Sequence, residues 1–377
     1  MTDEAGASLT PRLITDYAQL RDFWTKPGAL HGNAQTFDWI DCWRRHVNPD
    51  SLVAGLFTND TPIMLLPLEA VSENGAHVLR YPGGSHANCN FPWLDGSVNH
   101  ASVSQLVSAI RTARPDIDML SLTRQLPSLS GQDNPLLQLK NIENPNPVLA
   151  ASLGHGFDAV LGRSNTKRKL KKHRQHGRRY EESGGWRIYA PQSRKEADEI
   201  LDTFFALRAH RFKQMGIRDP FAGAHIQAFF KELYGDAAES QNAVYQLQIL
   251  EVGGKIRSLI GKAFSKDGPT VEFNAIADDE LITASPGEFL FFEDIKKSCD
   301  AELPVYSFGI GDEPYKREWC DIESRIFDAF VPLTTKGKAF TALQSIRSQA
   351  VATVKGNPRL WQFAKALRSK LAKRFSF

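Results

Sequence analysis

Three short pieces of sequence decide the fold: Thr270-Val271-Glu272-Phe273-Asn274-Ala275-Ile276, then Ser285-Pro286-Gly287-Glu288-Phe289-Leu290, then Val305-Tyr306-Ser307-Phe308-Gly309-Ile310. The first and last are brief, rich in β-branched and aromatic residues and bounded by turn residues, which predicts strands. Between them, 288–298 carries apolar residues at helical spacing. The helix is opened by a proline that forgoes no hydrogen bond and a serine able to cap free amides. Strand, helix and strand in this order predict a right-handed parallel crossover.

Outward from this core, Tyr245, Leu247 and Ile249 alternate with Gln246 and Gln248. Gly253-Gly254 then turns the chain into a return strand at 256–264. Helices are expected at 196–215 and 224–233 before this hairpin. A short helix at 313–319 and a last strand at 325–330 follow the crossover. The first half repeats the order in blurred form: helices at 17–24 and 37–46, a hairpin over 52–68, a strand at 78–81, a helix at 100–113 and a strand at 118–123. The reading is an α/β (α+β) chain of two tandem mixed-sheet domains with helices on both faces. Its expected parts are a first domain at 10–155, a basic connector helix at 160–182, a second domain at 186–333 and a basic amphipathic tail at 334–377.

With 377 residues, 42% hydrophobic and 24% charged, the chain has the composition of a globular protein with a large core. No apolar run reaches the roughly 18–20 residues of a membrane span, because Thr58-Asn59-Asp60 interrupts the longest one. Asp3 and Glu4 stand where a secretory signal would be apolar. Cys42, Cys89, Cys299 and Cys320 are far apart, so neither a metal site nor a disulfide framework is expected, and a cytoplasmic location is. The net charge of +3 is unevenly placed. Nine basic residues at 163–179 and ten at 329–377 stand without one acid, leaving 27 bases against 43 acids elsewhere, a remainder near −16. Such segregation points to an anionic partner or to a solvated face. In the tail, Leu360, Phe363, Leu367, Leu371 and Phe375 form a stripe among bases, suited to an inner membrane face or to the protein's own surface.

Four segments hold candidate chemistry. Ser285-Pro286-Gly287 at a helix start suits a phosphate or pyrophosphate, and equally an ordinary capped helix. Gly309-Ile310-Gly311-Asp312-Glu313-Pro314-Tyr315-Lys316 follows a parallel strand, where open sheets place ligands. There Asp312 can orient an amine or hydroxyl, and Tyr315 or Lys316 can donate a proton. His210 is a candidate base and Arg211 an anion clamp; a lone helical histidine is also often structural. His86, Asn88 and Asn90 sit in a Gly/Asn/His loop that could hold a sugar or peptide, or merely satisfy its own turn.

Taken with Gln35-Thr36-Phe37-Asp38-Trp39, the run Lys167-Arg168-Lys169-Leu170-Lys171-Lys172 and Leu207-Arg208-Ala209-His210-Arg211-Phe212, these segments resemble the CelD-type, FemAB-like acyltransferases over residues 30–330. Those proteins carry two tandem GNAT (N-acetyltransferase) folds and are often linked to cellulose or exopolysaccharide production. The resemblance implies that the crossover helix holds the pyrophosphate of acyl-CoA, such as acetyl-CoA, while strands 270–276 and 305–310 part around the pantetheine arm. It implies donor contacts at Ser285, Gly287, Glu288, Asn274 and Lys316, with Tyr315 as proton donor to the thiolate. Asp312 or His210 then serves as base, and Arg211, His86, Asn88 and Asn90 contact the acceptor, an amine or hydroxyl of a glycan precursor. This chain departs from the usual Arg/Gln-x-x-Gly-x-Gly/Ala loop, offering Gly287 alone. FemAB relatives use aminoacyl-tRNA, which the basic connector would suit, although no coiled-coil insertion is present. A non-catalytic double-GNAT scaffold, anchoring a polysaccharide synthase through the tail, is the reading from another class.

Overall fold

The computed structural model describes residues 9–240 and 243–356, so the stripe expected at 360–375 lies outside the described residues. In chain order the elements are β1 (Thr10–Ile14), α1 (Arg21–Trp24), α2 (Phe37–His46), β2 (Ser51–Thr58), β3 (Thr61–Glu73), β4 (Ala76–Arg80) and β5 (Trp93–Leu94). There follow α3 (His100–Ala113), β6 (Met119–Gln125), β7 (Ser128–Leu129), β8 (Gln132–Asp133), β9 (Asn141–Glu143), β10 (Val148–Ser152), α4 (Gly156–Gly162), α5 (Thr166–Glu182) and β11 (Trp186–Tyr189). Then come α6 (Arg194–Met215), α7 (Ala224–Ala238), β12 (Tyr245–Val252), β13 (Lys255–Ser265), β14 (Gly268–Ile276), α8 (Pro286–Asp300) and β15 (Val305–Ile310). The last are α9 (Pro314–Arg317), β16 (Ile322–Ser324), β17 (Phe327–Pro332) and α10 (Thr335–Gly356).

Two mixed sheets form two compact units, as the α/β reading requires. Among the described residues, the first unit takes 9–145 and 325–356, and the second takes 146–324. This differs from the expected boundaries at both ends of the second domain. Strand β10 leaves the first half and pairs with β15 and β16. Strand β17, expected to finish the second sheet, instead pairs antiparallel with β6 and β9 of the first. Its sequence specifies an extended, half-buried segment, but backbone hydrogen bonding is available at any open edge, so the partner is set by tertiary packing. Helix α10 follows β17 onto the first sheet, packing Phe340 against Ala76, Val78, Met119 and Phe330. Gly337 is required there, since a Cβ would stand 1.8 Å from the Asp118 carbonyl oxygen.

The order of the first sheet is β1-β2-β3-β4-β6-β17-β9, and of the second β11-β12-β13-β14-β15-β10-β16. Each contains one parallel pair, and the two pairs differ. Strands β4 and β6 run together through Val78–Met119, Leu79–Leu120 and Arg80–Ser121. Strands β14 and β15 meet only at Thr270–Ser307 and then part.

The second sheet is covered on both faces. Phe273 lies over Gly261, where a Cβ would be 2.2 Å from its ring, and meets Phe204 of α6 and Phe230 of α7 at 4.5 and 5.4 Å between centroids. On the other face, Lys262 Nζ donates to Asp294 Oδ1 of α8 at 2.6 Å, and the Tyr306 hydroxyl donates to Asp294 Oδ2 at 2.7 Å. All three residues are buried. A buried ion pair adds little net stability relative to apolar packing, but removing one partner strands a charge. Asp294→Ala is therefore expected to lower the unfolding free energy by about 3–5 kcal/mol. Urea denaturation checks this, and a loss under about 1 kcal/mol would show that the network does not clamp α8.

Candidate active site

The parting of β14 and β15 opens into a cavity of about 380 Å³ in the second unit. From the sheet side it is lined by Ser258, Asn274 and Ile276, and from the start of α8 by Ser285, Pro286, Gly287, Glu288 and Phe291. Tyr315, Glu318 and Trp319, which follow β15, close the third side. Of the residues expected to touch a donor, Ser285, Gly287, Glu288 and Asn274 are thus brought to one place with Tyr315.

The helix start differs in detail from the expected cap. Ser285 sits in the left-handed region at φ 49°, a conformation that costs a non-glycine residue energy, and its side chain makes no cap hydrogen bond. Its carbonyl accepts from Phe289 N at 3.0 Å. Pro286 has no N–H, so the free donors of the first turn are the amides of Gly287 and Glu288. A Cβ on Gly287 would lie 2.5 Å from Ile276 Cδ1, so the glycine lets α8 approach β14 at the cavity wall.

Tyr315 is held by rings and by one polar contact. It stacks on Phe291, with centroids 5.8 Å apart and planes at 22°, and meets Phe308 edge-on at 6.2 Å. The Asn274 side chain, across the gap, lies near its phenol. Burial, reinforced by the nearby Glu313 carboxylate, pushes the phenol up to about 12, with Asn274 acting the other way. It is therefore a proton donor throughout the neutral range, still 40% exposed.

Other expected residues lie elsewhere. Lys316 is buried, its Nζ donating to the Ile310 carbonyl at 2.9 Å and paired with Glu313 at 2.8 Å, so it fixes the turn after β15 and does not line the cavity. Asp312 pairs with Arg317 at 2.6 Å. His210 is exposed on α6, its Nε2 2.9 Å from Gln214 Nε2, which in turn donates to Asp278 at 3.0 Å just beyond β14; Arg211 is exposed beside it. His86, Asn88 and Asn90 belong to the first unit. Asn90 is buried: its Oδ1 accepts from Gln35 at 2.7 Å and its Nδ2 donates to the Thr123 carbonyl at 2.8 Å, which makes it a structural brace. His86 lies against Trp43, with ring centroids 6.0 Å apart.

The basic connector is not a free-standing arm. Helix α5 docks on α8, with the His173 ring over Phe292 at 3.8 Å and its Nε2 2.6 Å from Glu293. Burial lowers His173 to about 4 and raises Glu293, so the imidazole is uncharged at neutral pH. Lys169 Nζ lies 3.4 Å from the centroid of the Trp319 ring and donates to the Glu318 carbonyl, and Tyr180 donates to the Ala284 carbonyl at 2.7 Å. Lys172 and Arg168 stand 3.5 and 3.6 Å from Glu288 and Glu318, offsetting both acids of the cavity wall.

Reading by segment missed Ser258, Ile276, Phe291, Glu318 and Trp319 as lining residues. Two of them follow from spacing: Ile276 alternates with Asn274 along one face of β14, and Phe291 lies one helical turn past Gly287. The contact between Gly287 and Ile276 gives a direct check. Gly287→Ala is expected to destabilise the fold by about 1 kcal/mol and Ile276→Ala to relieve that cost in the double variant. Thermal unfolding of the four proteins measures the coupling, and strictly additive effects would contradict the close approach.

Residues 167–317 match the family profile described as acetyltransferase (GNAT) domain. No curated protein matches the chain. Among solved structures, FemX is similar at 12% identity and a TM-score of 0.56, covering 85% of this chain and 96% of that one. A conserved protein of unknown function from Bacteroides thetaiotaomicron is similar at 12% identity and 0.52, covering 86% and 99%. The C-terminal domain of a proposed lysylphosphatidylglycerol synthetase from Agrobacterium fabrum is similar at 13% and 0.50, covering 84% and 96%. At such identities the likeness is one of fold. The opened parallel pair, its crossover helix and the likeness to these structures give the chain a GNAT-like fold, and residues 167–317 match the acetyltransferase (GNAT) domain profile.

Proposed function

We propose that this protein transfers an acyl group, acetyl in the simplest case, from acyl-CoA to an amine or hydroxyl of a glycan precursor or related small molecule. The observation that carries the reading is the single Thr270–Ser307 pairing of β14 and β15, which leaves a cavity between the helix start and a shielded phenol. The residues present fit such a donor in two parts. Gly287 and Glu288 offer free amides at the positive end of α8 for the diphosphate. Ile276, Pro286, Phe291 and Trp319 form apolar walls for the thiol-bearing arm. Two free amides and one glycine make a smaller cradle than the full glycine loop, and the basic face of α5 adds Lys172 beside it.

In the reaction the acceptor's nitrogen or oxygen attacks the thioester carbonyl, the carbon–sulfur bond breaks, and the new acyl bond forms. Tyr315 passes its proton to the departing sulfur. The acceptor's proton leaves through water, with His210 or Asp312, both outside the cavity lining, as the candidate bases. Positioning two reactants in the cleft supplies most of the acceleration. Release of free thiol from acetyl-CoA with a panel of amino sugars tests the reading, and Tyr315→Phe is expected to lower kcat by about 10²-fold or more. Because the phenol keeps its proton up to about 12, its ionisation takes no rate away between neutrality and mildly alkaline pH. A Tyr315-dependent alkaline loss near pH 10 would contradict its burial, and full turnover by the Tyr315→Phe variant would remove it from the mechanism.

A second reading rests on α5. Lys167, Lys171, Arg174 and Arg178 are exposed along one stripe of the helix, and no ion pair engages them among the described residues. That stripe suits a polyphosphate backbone, and hence the aminoacyl-tRNA donor that the FemAB resemblance implies. It predicts tRNA affinity falling with salt, with a log–log slope shallower by about 3 when the four bases are replaced by glutamine. Acetyl-CoA binding in calorimetry without tRNA binding favours the first reading; tRNA binding alone favours the second. Binding of neither, with recovery in a membrane complex, favours the scaffold.

A further inference from the structure

We propose that the first unit holds a separate ligand site, for a phosphate group carried on a hydroxylated body, in a cavity of about 410 Å³ at the carboxyl ends of β4 and β6. This is the edge of a parallel pair, where sheets of this kind leave their crevices. The walls come from the strand ends on one side and from α10 on the other. The volume far exceeds a bare phosphate: at roughly 30 Å³ per water it holds about a dozen.

The charge in this cavity is unevenly spent. Arg80 is charge-paired, its Nε with Glu69 at 2.9 Å and its Nη1 with Glu73. Asp328 is likewise occupied, accepting from Arg124 N at 2.8 Å and from Asn144 Nδ2. Two guanidiniums are left. Arg124 sits at φ 55°, in the left-handed region within β6, and its side chain donates from Nη1 to the Ser85 and Ala87 carbonyls at 3.3 and 2.8 Å; it has no ion pair within 4 Å among the described residues, although the Asp328 carboxylate favours its charge. Burial lowers its pKa, the mark of a cation whose surroundings do not fully compensate it. Arg347, on α10, is exposed and has no ion pair among the described residues. Free N–H groups on two planar guanidiniums match the oxygens of a phosphate.

The rest of the lining is unsatisfied in a way that suits hydroxyl groups. The side chains of Ser121, Thr123 and Ser348 line the cavity and make no hydrogen bond with the described protein. Tyr81 lines the cavity at only 3% exposure, and its phenolic oxygen has no partner among the described residues, an uncommon state for a buried phenol. This site stands whether or not the acyl-donor reading holds, because it rests on the first unit alone.

Calorimetry on the full chain with inorganic phosphate, glucose 6-phosphate and glucose tests it. Glucose 6-phosphate is expected to bind saturably and more tightly than phosphate, and glucose not to bind. Arg347→Gln, an exposed change that leaves the fold intact by thermal unfolding, is expected to weaken glucose 6-phosphate about tenfold. Arg124→Gln is expected to abolish binding; if that variant unfolds, Arg347→Gln alone decides the matter. No saturable binding of glucose 6-phosphate up to about 10 mM, equal binding by Arg347→Gln, or competitive displacement by acetyl-CoA would each overturn the proposal, the last by placing the ligand in the cavity of the second unit.

Discussion

The second unit depends on how its crossover helix is held. Strands β14 and β15 share one backbone pairing, so the sheet itself does little to fix their separation. Asp294 does that work from above. Its two carboxylate oxygens reach Lys262 on β13 and Tyr306 on β15, which places one anion over the strands on either side of β14. Lys262 pairs with Val271, and Tyr306 adjoins Ser307, so the clamp sits at the joined end of the two strands. The N-terminal turn of α8 is thereby carried over the parted end, where its free amides face the cavity. Low dielectric makes such a buried network strong when complete and costly when broken, which suits a component that must keep a gap open against collapse.

The two units use the same crossover differently. In the first, β4 and β6 stay paired to Arg80–Ser121, and the chain beyond β4 continues the contact: Asn90 N donates to the Arg124 carbonyl and Leu126 N to the Asn90 carbonyl. Asn90 thus extends by one residue the pairing that ends early in the second unit. Its side chain is spent on the protein, while Arg124 and Tyr81 line the cavity beside it. The difference lies in backbone hydrogen bonding and not in the presence or absence of a single residue.

Helix α5 shows how a run of like charge can be structural and available at once. A helix polar on every side gains little from core burial. Here ring stacking by His173, its contact with Glu293 and lysine over Trp319 supply the docking, and the acids of the cavity rim draw in Lys172 and Arg168. Lys167, Lys171, Arg174 and Arg178 face outward with no ion pair among the described residues.

Local chemistry carried much of this in the sequence. Periodicity alone gives α2, α3 and β15 their observed bounds, and the Gly253-Gly254 turn and the Pro286 helix start follow from backbone freedom and a missing N–H. Gly287 and Tyr315 were legible as site candidates because strand ends and helix starts are where ligands and free amides meet, whereas Asn274 came from the family resemblance. What the sequence could not decide is pairing at long range. Strand β17 reads as extended wherever it goes, and only packing sends it to β6; Lys316 and Asn90 read as ligand contacts until the Ile310 carbonyl and the Gln35 amide claim them. Side-chain spacing encodes the shape of a segment, whereas a hydrogen-bond partner far along the chain is chosen by the free energy of the whole fold, and so the opening of the cleft was settled only in three dimensions.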